Sequence, residues 1–179
     1  MGPVGWVVHS DQTGRFATGQ MVPGPYVFAI TKVPAGWMVK SVTVAGRNVM
    51  DRTFDLTPSA IGDAVITLAD KVSSLAGTVR DSNGMPEPQA TIVVFPTDKS
   101  LWLPTALTSS RIRSTAPGRD GRYSFRGLPA GEYFLTAFDT PPAGAPGTTL
   151  LNALTNGATR ITIGEGETKA QDLKVTVVR

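Results

Sequence analysis

The chain contains one histidine, His9, the side chain best suited to acid, base or metal chemistry at neutral pH. A zinc hydrolase needs histidine and glutamate at short fixed spacing, and neither H-x-x-E nor H-E-x-x-H occurs. His9 follows a short apolar run, and its nearest acidic neighbour, Asp11, is placed to begin a turn. Because a catalytic histidine needs partners, these residues predict no zinc hydrolase and no histidine-based site.

Hydroxyl and carboxylate clusters form a second group of candidates. The pairs Ser73-Ser74 and Ser109-Ser110 lack the G-x-S-x-G pattern of a nucleophile on a sharp turn, and the chain offers no second histidine as their base. Residues 81–84 (DSNG) and Asp120-Gly121 are similar to parts of a calcium loop, but the full ligand spacing with a closing glutamate is missing. The serines are therefore interpreted as strand-edge or loop residues, and the aspartates as Asx-type turns.

Binding, rather than catalysis, is the chemistry that the aromatic residues suggest. Trp102 lies in the loop 97–104 (TDKSLWLP), where an exposed indole would be a platform for stacking a sugar ring. Trp6 and Trp37 are weaker candidates, because both stand beside apolar runs that indicate packing. The leucines on either side of Trp102 favour the alternative that its loop is anchored onto the protein by a buried ring.

Four arginines form the other candidate ligand-binding set. In two predicted strands arginine alternates with apolar residues, so pairing of these strands across the turn 116–121 would place four guanidinium groups on one solvent face. A solvated sheet surface is the ordinary explanation, whereas an acidic polysaccharide or the carboxylates of a partner would suit bidentate arginine. The residues concerned are Arg111, Arg113, Arg122 and Arg126.

Composition sets the class of protein in which these candidates must be placed. Hydrophobic residues make up 41% and charged residues 17% of 179, with 19 glycines and 14 prolines, which favours many short strands joined by tight turns. Residues 1–72 carry 6 basic and 5 acidic side chains, and residues 73–179 carry 11 and 9, so neither half predicts a nucleic-acid binder. The sequence contains no cysteine and no apolar run long enough to span a bilayer.

A phrase that occurs twice indicates how the chain is organised. GRYSFRGLPAGEYFLTAF at 121–138 has a looser copy, GRFATGQMVPGPYVFAI, at 14–30, and in both the tyrosine lies twelve positions after the first glycine. Alternation in 122–126 predicts a strand, the Pro-Ala-Gly step predicts a turn, and 132–138 predicts a second strand. We therefore expect the same hairpin-like pair in each copy. The matched positions are Gly14 and Gly121, Phe16 and Tyr123, Met21 and Leu128, Gly24 and Gly131, and Tyr26 and Tyr133.

Further strand signals surround the second copy. Residues 75–80 and 90–95 read as strands joined by a turn at Asn83-Gly84, and another strand is expected near 108–114. Residues 149–158 could form one short helix, and 158–178 offer two strands about a Gly-Glu-Gly-Glu turn. The second half thus totals about seven strands, which is a sandwich number.

Three segments of this half resemble the carboxypeptidase regulatory-like domains, whose fold is a transthyretin-like, or prealbumin-like, β-sandwich. The segments are GTVRDSNGMPEPQATIVVFP, DGRYSFRGLPAGEYFLTAFD and ATRITIGEGETKAQDLKV, and they cover most of 73–179. The resemblance implies an Ig-like all-β fold without zinc ligands or a cofactor. It also implies a spacer or binding module of large exported bacterial proteins.

The first half matches this pattern only in part. It contains the repeated phrase and later strand-like runs, but no G-x-V-x-D-x-x-G-x-P segment precedes the phrase. We predict two tandem sandwich domains, 1–72 and 73–179, of which the first lacks its opening strands and leans on the second through residues 70–74. Such a domain would leave sheet edges unpaired.

The function predicted from these observations is a non-enzymatic structural or spacer module of a bacterial cell-envelope or secreted protein. Its expected partners are other domains of a longer protein, with no nucleic acid, no membrane span of its own and no cofactor, and its expected location is extracellular, periplasmic or at the cell surface. The alternative is a carbohydrate-binding module that uses an exposed aromatic residue and the arginine face to hold a polysaccharide.

Overall fold

Short strands dominate the part of the chain that the computed structural model describes, residues 7–57, 64–103, 109–139 and 147–176. One α-helix, α1 (Thr148–Leu154), occurs among them, where a short helix was expected. The all-β class is therefore confirmed. In chain order the strands are β1 (Gly24–Tyr26), β2 (Met38–Val44), β3 (Arg47–Asn48), β4 (Phe54–Leu56), β5 (Ala64–Ala69), β6 (Ser74–Arg80), β7 (Thr91–Pro96), β8 (Arg113–Thr115), β9 (Arg122–Arg126), β10 (Gly131–Phe138), β11 (Thr159–Ile163), β12 (Thr168–Ala170) and β13 (Leu173–Lys174).

The second half is a sandwich of two sheets. One sheet has the strand order β11-β10-β7-β8, and in the other β6 pairs with β9 on one side and with β12 and β13 on the other. Its described residues contain eight strands, where about seven were expected, because residues 171–172 divide the last one into β12 and β13. Side chains from both sheets form one core between them: Leu75, Val79, Ala90, Ile92, Val94, Tyr123, Phe125, Leu128, Tyr133, Leu135, Ala137, Ile161, Ile163 and Leu173.

Strands β7 and β10 are buried on both faces. Ile92 and Val94 face the core between the sheets, whereas Val93 and Phe95 belong to a second cluster on the outer side. Helix α1 covers that outer side with two buried leucines, Leu151 and Leu154. Coverage of both faces explains why these strands read as continuous apolar runs instead of alternating ones.

The hairpin-like pair predicted for residues 121–138 is wrong. β9 pairs with β6, whereas β10 pairs with β7 and β11, so the turn between β9 and β10 carries the chain from one sheet to the other. Gly127, with φ +71°, begins this turn, and Leu128 is buried in the core that both strands face. Alternation shows which side chains of a strand face a core. It does not distinguish two strands paired as a hairpin from two strands that face the same core from opposing sheets.

The first half has smaller sheets and a smaller core. β2 pairs with β3 and β5, and β1 pairs with β4. Its centre is formed by the fully buried Val42 with Val49 and Met50, which are 8% and 7% exposed, and partly buried neighbours include Phe28 and Phe54, stacked at 5.2 Å. In the first copy of the phrase only Gly24–Tyr26 is a strand and residues 14–23 form none, which corrects the strand expected at its start.

What the two copies share is a hydrogen-bonded corner. The hydroxyl of Tyr133 donates to the carbonyl oxygen of Pro129, and that of Tyr26 donates to the carbonyl oxygen of Val22 at 2.8 Å, four residues back in both cases. The glycines two positions before the tyrosines have the same φ, +154°. The repeated phrase therefore encodes a tyrosine corner at the start of a strand, an arrangement typical of sandwich folds.

Candidate functional site

The serine pairs singled out as possible nucleophiles are all engaged in structural hydrogen bonds. The Ser73 hydroxyl donates to the carbonyl oxygen of Leu128, and the Ser74 hydroxyl donates to the Thr168 hydroxyl. The Ser109 hydroxyl accepts from the backbone of Arg111, and the Ser110 hydroxyl donates to Asp51. These partners agree with the interpretation of the serines as loop and strand-edge residues.

The aspartates that resembled calcium-loop fragments, Asp81 and Asp120, each accept a hydrogen bond from the backbone N–H two residues on, and Asp11, which was expected to begin a turn, does the same. Oδ1 of Asp81 accepts from the backbone N–H groups of Asn83 and Met85, and Oδ1 of Asp11 accepts from those of Thr13 and Arg15. The Thr13 hydroxyl also donates to Asp11 Oδ1. This bond, which has the largest effect, and the two backbone bonds hold the pKa of Asp11 below its usual value. Among the described residues no group of three or more acidic, histidine or cysteine side chains is arranged to hold a metal.

Trp102 is an anchor of its loop. Its side chain is 8% exposed, its indole Nε1 donates to the carbonyl oxygen of Pro96 at 2.8 Å, and its ring meets Phe95 edge-on at 5.7 Å. Asp98 caps the short 3-10 turn that leads to it. An indole in this position presents no free face for a sugar. Residues 104–108 and Trp6, which formed part of the sequence expectations, lie outside the described residues.

The four arginines do not share one face, because the strands expected to pair belong to different sheets. β8 pairs with β7 and β9 pairs with β6. Arg122 is exposed and lies 3.4 Å from Asp120, whereas Arg113 and Arg126 line a groove described below. Arg111 is largely buried, with 17% of its side chain exposed.

Arg111 belongs to a polar cluster that joins the two halves of the chain, which we call the Asp51 clasp: Asp51, Ser110, Arg111 and Tyr133. Asp51 is 3% exposed and accepts from the Ser110 backbone N–H at 2.6 Å and from its hydroxyl. Arg111 Nε lies 3.4 Å from Asp51 Oδ2, an ionic contact without a hydrogen bond. The Arg111 Nη1 group donates to Tyr133 and to the carbonyl oxygen of Ala130.

Local structure brings Asp51 to this position. The Asn48 side chain accepts from the backbone of Met50, and Asp51 follows with φ +56°, a left-handed conformation that Asp tolerates better than most residues. Burial of Val49 and Met50 then fixes the loop on the first half. The carboxylate is thereby held at the surface of one half while its donors lie on the other.

Burial controls the ionisation of the tyrosine in this cluster. It raises the pKa of Tyr133 to about 12, although the neighbouring Arg111 acts in the opposite direction. Tyr123, whose hydroxyl donates to the carbonyl oxygen of Gln171, has its pKa raised further by burial and by Asp172. Both phenols are held neutral in the folded protein at pH values where an unfolded chain would ionise them.

We therefore expect stability to fall in alkali. Because the folded pKa values of Tyr123 and Tyr133 are raised, their contribution is fully present below the ordinary tyrosine pKa of about 10 and is lost as pH rises through the folded values. Urea unfolding from pH 8 to 12 measures the slope. The double variant Tyr123→Phe/Tyr133→Phe should show a shallower fall, and an equal fall in this variant would contradict the prediction.

A groove of about 430 Å³ lies beside the clasp, between the two halves. Apolar side chains from the first half, among them Ile30, Val33 and Val39, form much of its lining. Trp37, 46% exposed, lies at the groove and belongs to a turn in which Gly36 has φ +81°. The second half contributes Ile112 and the two arginines named above.

Sequence reasoning missed Asp51 and ranked Trp37 below Trp102. Asp51 stands next to no other charged residue of the clasp, and its partners lie 59 and more positions away. The one local signal is an aspartate directly after two apolar residues, Val49 and Met50, in a segment that reads as a loop.

Comparison with known proteins identifies the family. Residues 74–177 match the carboxypeptidase regulatory-like domain, and since they are more than half of the chain, the protein belongs to this family. The family expected from the three quoted segments is thus confirmed. No curated protein sequence matches the chain. No helix among the described residues is long and apolar enough to cross a membrane.

Solved structures show partial likenesses at low identity. BcpA, the major pilin subunit of Bacillus cereus, is 13% identical with a TM-score of 0.42, over 69% of this chain and 36% of that chain. A Streptococcal ancillary pilin is 14% identical with a TM-score of 0.40, over 86% and 45%. Catechol 1,2-dioxygenase from Acinetobacter sp. ADP1 is 16% identical with a TM-score of 0.32, over 59% and 52%. The chain spans about a third of the length of the BcpA chain.

Proposed function

We propose that this protein is a non-catalytic, tension-bearing structural module of a bacterial cell-envelope or secreted protein. In this proposal residues 1–72 and 73–179 are two domains tied together by the Asp51 clasp, and other domains of a longer protein are their partners. Exported location is part of the proposal, and it follows from what the family resemblance implies. The observation that carries the mechanical role is the pairing of the first and last strands of the second half.

Strand β6 opens the second half, and β12 and β13 close it, running parallel to β6 along one edge. Ser74 lies opposite Thr168 and Arg80 lies opposite Lys174, so the pairing reaches both ends of β6 and is interrupted only at residues 77–78. Beyond the strands, the Ser74 N–H donates to Glu167 and the Val175 N–H donates to Arg80, both at 2.9 Å. The two strands through which the chain enters and leaves this half are therefore bonded to each other.

Between β12 and β13, where the backbone pairing with β6 is interrupted, the side chain of Asp172 supplies hydrogen bonds to Thr78. Asp172 Oδ1 accepts from the backbone N–H of Thr78 at 2.8 Å and from its hydroxyl at 2.9 Å. These bonds hold the pKa of Asp172 below its usual value, the backbone bond having the larger effect. A Cβ on Gly77 would lie 1.8 Å from the carbonyl oxygen of Gln171, so only glycine allows this close approach.

Parallel pairing of entry and exit strands determines how a stretching force acts. A pull on the chain before Ser74 and after Lys174 draws β6 and β13 in opposite directions along their own axes. All the hydrogen bonds of the edge are then loaded together in shear, whereas strands pulled apart sideways would lose their bonds one at a time. This geometry suits a module that holds its shape between neighbouring domains.

The test is single-molecule stretching of the whole chain with handles at both termini. We expect Asp172→Ala to raise the unfolding rate at constant force by about fivefold, because it removes about 1 kcal/mol of net hydrogen bonding from the sheared edge. Asp120→Ala is the matched control, since Asp120 accepts from the backbone of Arg122 in a turn outside that edge. Equal effects of the two variants would contradict a load-bearing role for β6, β12 and β13.

A further inference from the structure

The groove between the two halves combines an apolar floor with two cationic side chains. Arg113 and Arg126 are exposed at its rim, and within the described part of the chain their guanidinium groups make no ion pair or hydrogen bond. Two other arginines nearby are paired with carboxylates: Arg111 lies 3.4 Å from Asp51, and Arg122 lies 3.4 Å from Asp120. No acidic side chain lines the groove among the described residues. The groove is therefore complementary to negative charge.

An edge strand runs along this groove. β8 pairs with β7 on one side, and no described strand pairs with its other side. Arg113 and Ser114 of this strand line the groove, as do Ser109, Ser110 and Ile112 immediately before it. Backbone groups on an unpaired edge are free to bond an added extended strand.

We infer that the groove binds an extended acidic peptide segment of a partner protein, in which carboxylates alternate with large apolar side chains. The carboxylates pair with Arg113 and Arg126, the apolar side chains pack on Ile30, Val39 and the exposed ring of Trp37, and the peptide backbone adds to β8. Binding of this kind goes beyond the structural role and does not depend on it.

The lining favours a peptide over an acidic polysaccharide. A sugar ring needs a broad aromatic face with polar groups around it, and Trp37 is the one aromatic residue of the groove among those described. Aliphatic side chains such as Val33 and Ile112 instead suit alternate side chains of an extended strand. A polysaccharide also has no N–H and C=O ladder to offer the edge of β8.

The probe is a fluorescein-labelled hexapeptide of alternating glutamate and leucine, compared with the same peptide carrying glutamine for glutamate. Fluorescence polarisation with the whole chain should show saturable binding of the glutamate peptide that weakens as salt rises, and at least tenfold weaker binding of the glutamine peptide. Amide hydrogen exchange at residues 113–115 should slow when the glutamate peptide is bound.

The variants locate the site. Arg113→Gln/Arg126→Gln should weaken binding at least tenfold, and Trp37→Ala should weaken it severalfold, while both keep the wild-type melting temperature within a few degrees because these side chains are exposed. Arg122→Gln is the matched control, being an exposed arginine of β9 outside the groove, and it should bind as the wild type does.

Three results would overturn the inference. They are equal binding of the two peptides, binding unchanged by the double arginine substitution, and absence of binding at millimolar peptide. Competition by polygalacturonate in place of the peptide would assign the groove to an acidic polysaccharide instead. None of these results bears on the stretching experiment, so the structural role is tested separately.

Discussion

Trp102→Ala should lower the free energy of unfolding by about 3 to 5 kcal/mol, as truncation of a buried aromatic side chain does. The indole is packed against Phe95, and its Nε1 satisfies the carbonyl oxygen of Pro96. Removing the ring leaves a cavity beside α1 in the outer cluster and an unpaired carbonyl group. Urea unfolding of the whole chain, followed by circular dichroism, measures the change.

Two further variants separate packing from hydrogen bonding and from exposure. Trp102→Phe keeps an aromatic ring but removes the indole N–H. Its loss of unfolding free energy should be smaller than that of the alanine variant, because the phenyl ring still fills part of the cavity. Trp37→Ala is the matched tryptophan control, because Trp37 is 46% exposed, and it should cost clearly less than Trp102→Ala, about 1 to 2 kcal/mol. Loss of retention on a polysaccharide gel in Trp102→Ala, with unchanged stability, would instead support the sugar-platform alternative.

The strands of the second half were predictable because alternation, proline and glycine act locally. Residues 75–80, expected as a strand, are contained in β6, and residues 90–95 largely coincide with β7. The pairing of strands was less accessible. Tyr123 and Tyr133 both face one core. The sequence of their segments does not indicate whether this core lies between two opposing sheets or beneath a hairpin. The sheet to which each strand belongs depends on contacts distant in sequence, which local patterns do not contain.

The candidate site was less predictable than the fold for the same reason. Arg111 and Arg113 read alike in sequence, yet one is engaged by a carboxylate from the first half and the other is exposed on an edge strand. Trp102 and Trp37 also read alike, since both stand beside apolar residues. Their different burial follows from which surface covers them: α1 and the outer sheet face cover Trp102, whereas Trp37 lies at an open groove.

Asp51→Ala should cost about 3 kcal/mol, at the lower end of the range for breaking a buried ion pair, because Arg111 retains some exposure to water. The substitution leaves the Arg111 guanidinium without its carboxylate and the Ser110 N–H without its acceptor. It also forces a less tolerant residue to adopt φ +56°. Asp51→Asn keeps a side chain that accepts hydrogen bonds and tolerates this conformation. Its loss of unfolding free energy should therefore be smaller, and it measures the contribution of the negative charge. Asp55→Ala, at an exposed aspartate of β4, is the control and should be near neutral.

A double-mutant cycle with Arg111→Met tests whether the pair itself is responsible. If the unpaired cation causes most of the loss, Asp51→Ala/Arg111→Met should be more stable than the sum of the single changes predicts, by at least 1 kcal/mol. Hydrogen exchange should place the effect of Asp51→Ala in β2 and β5, because the clasp fixes the first half, whose own core contains few fully buried residues, to the second. Additive losses, or exchange that rises equally in β7 and β10, would show that the two halves are held together by contacts other than the clasp.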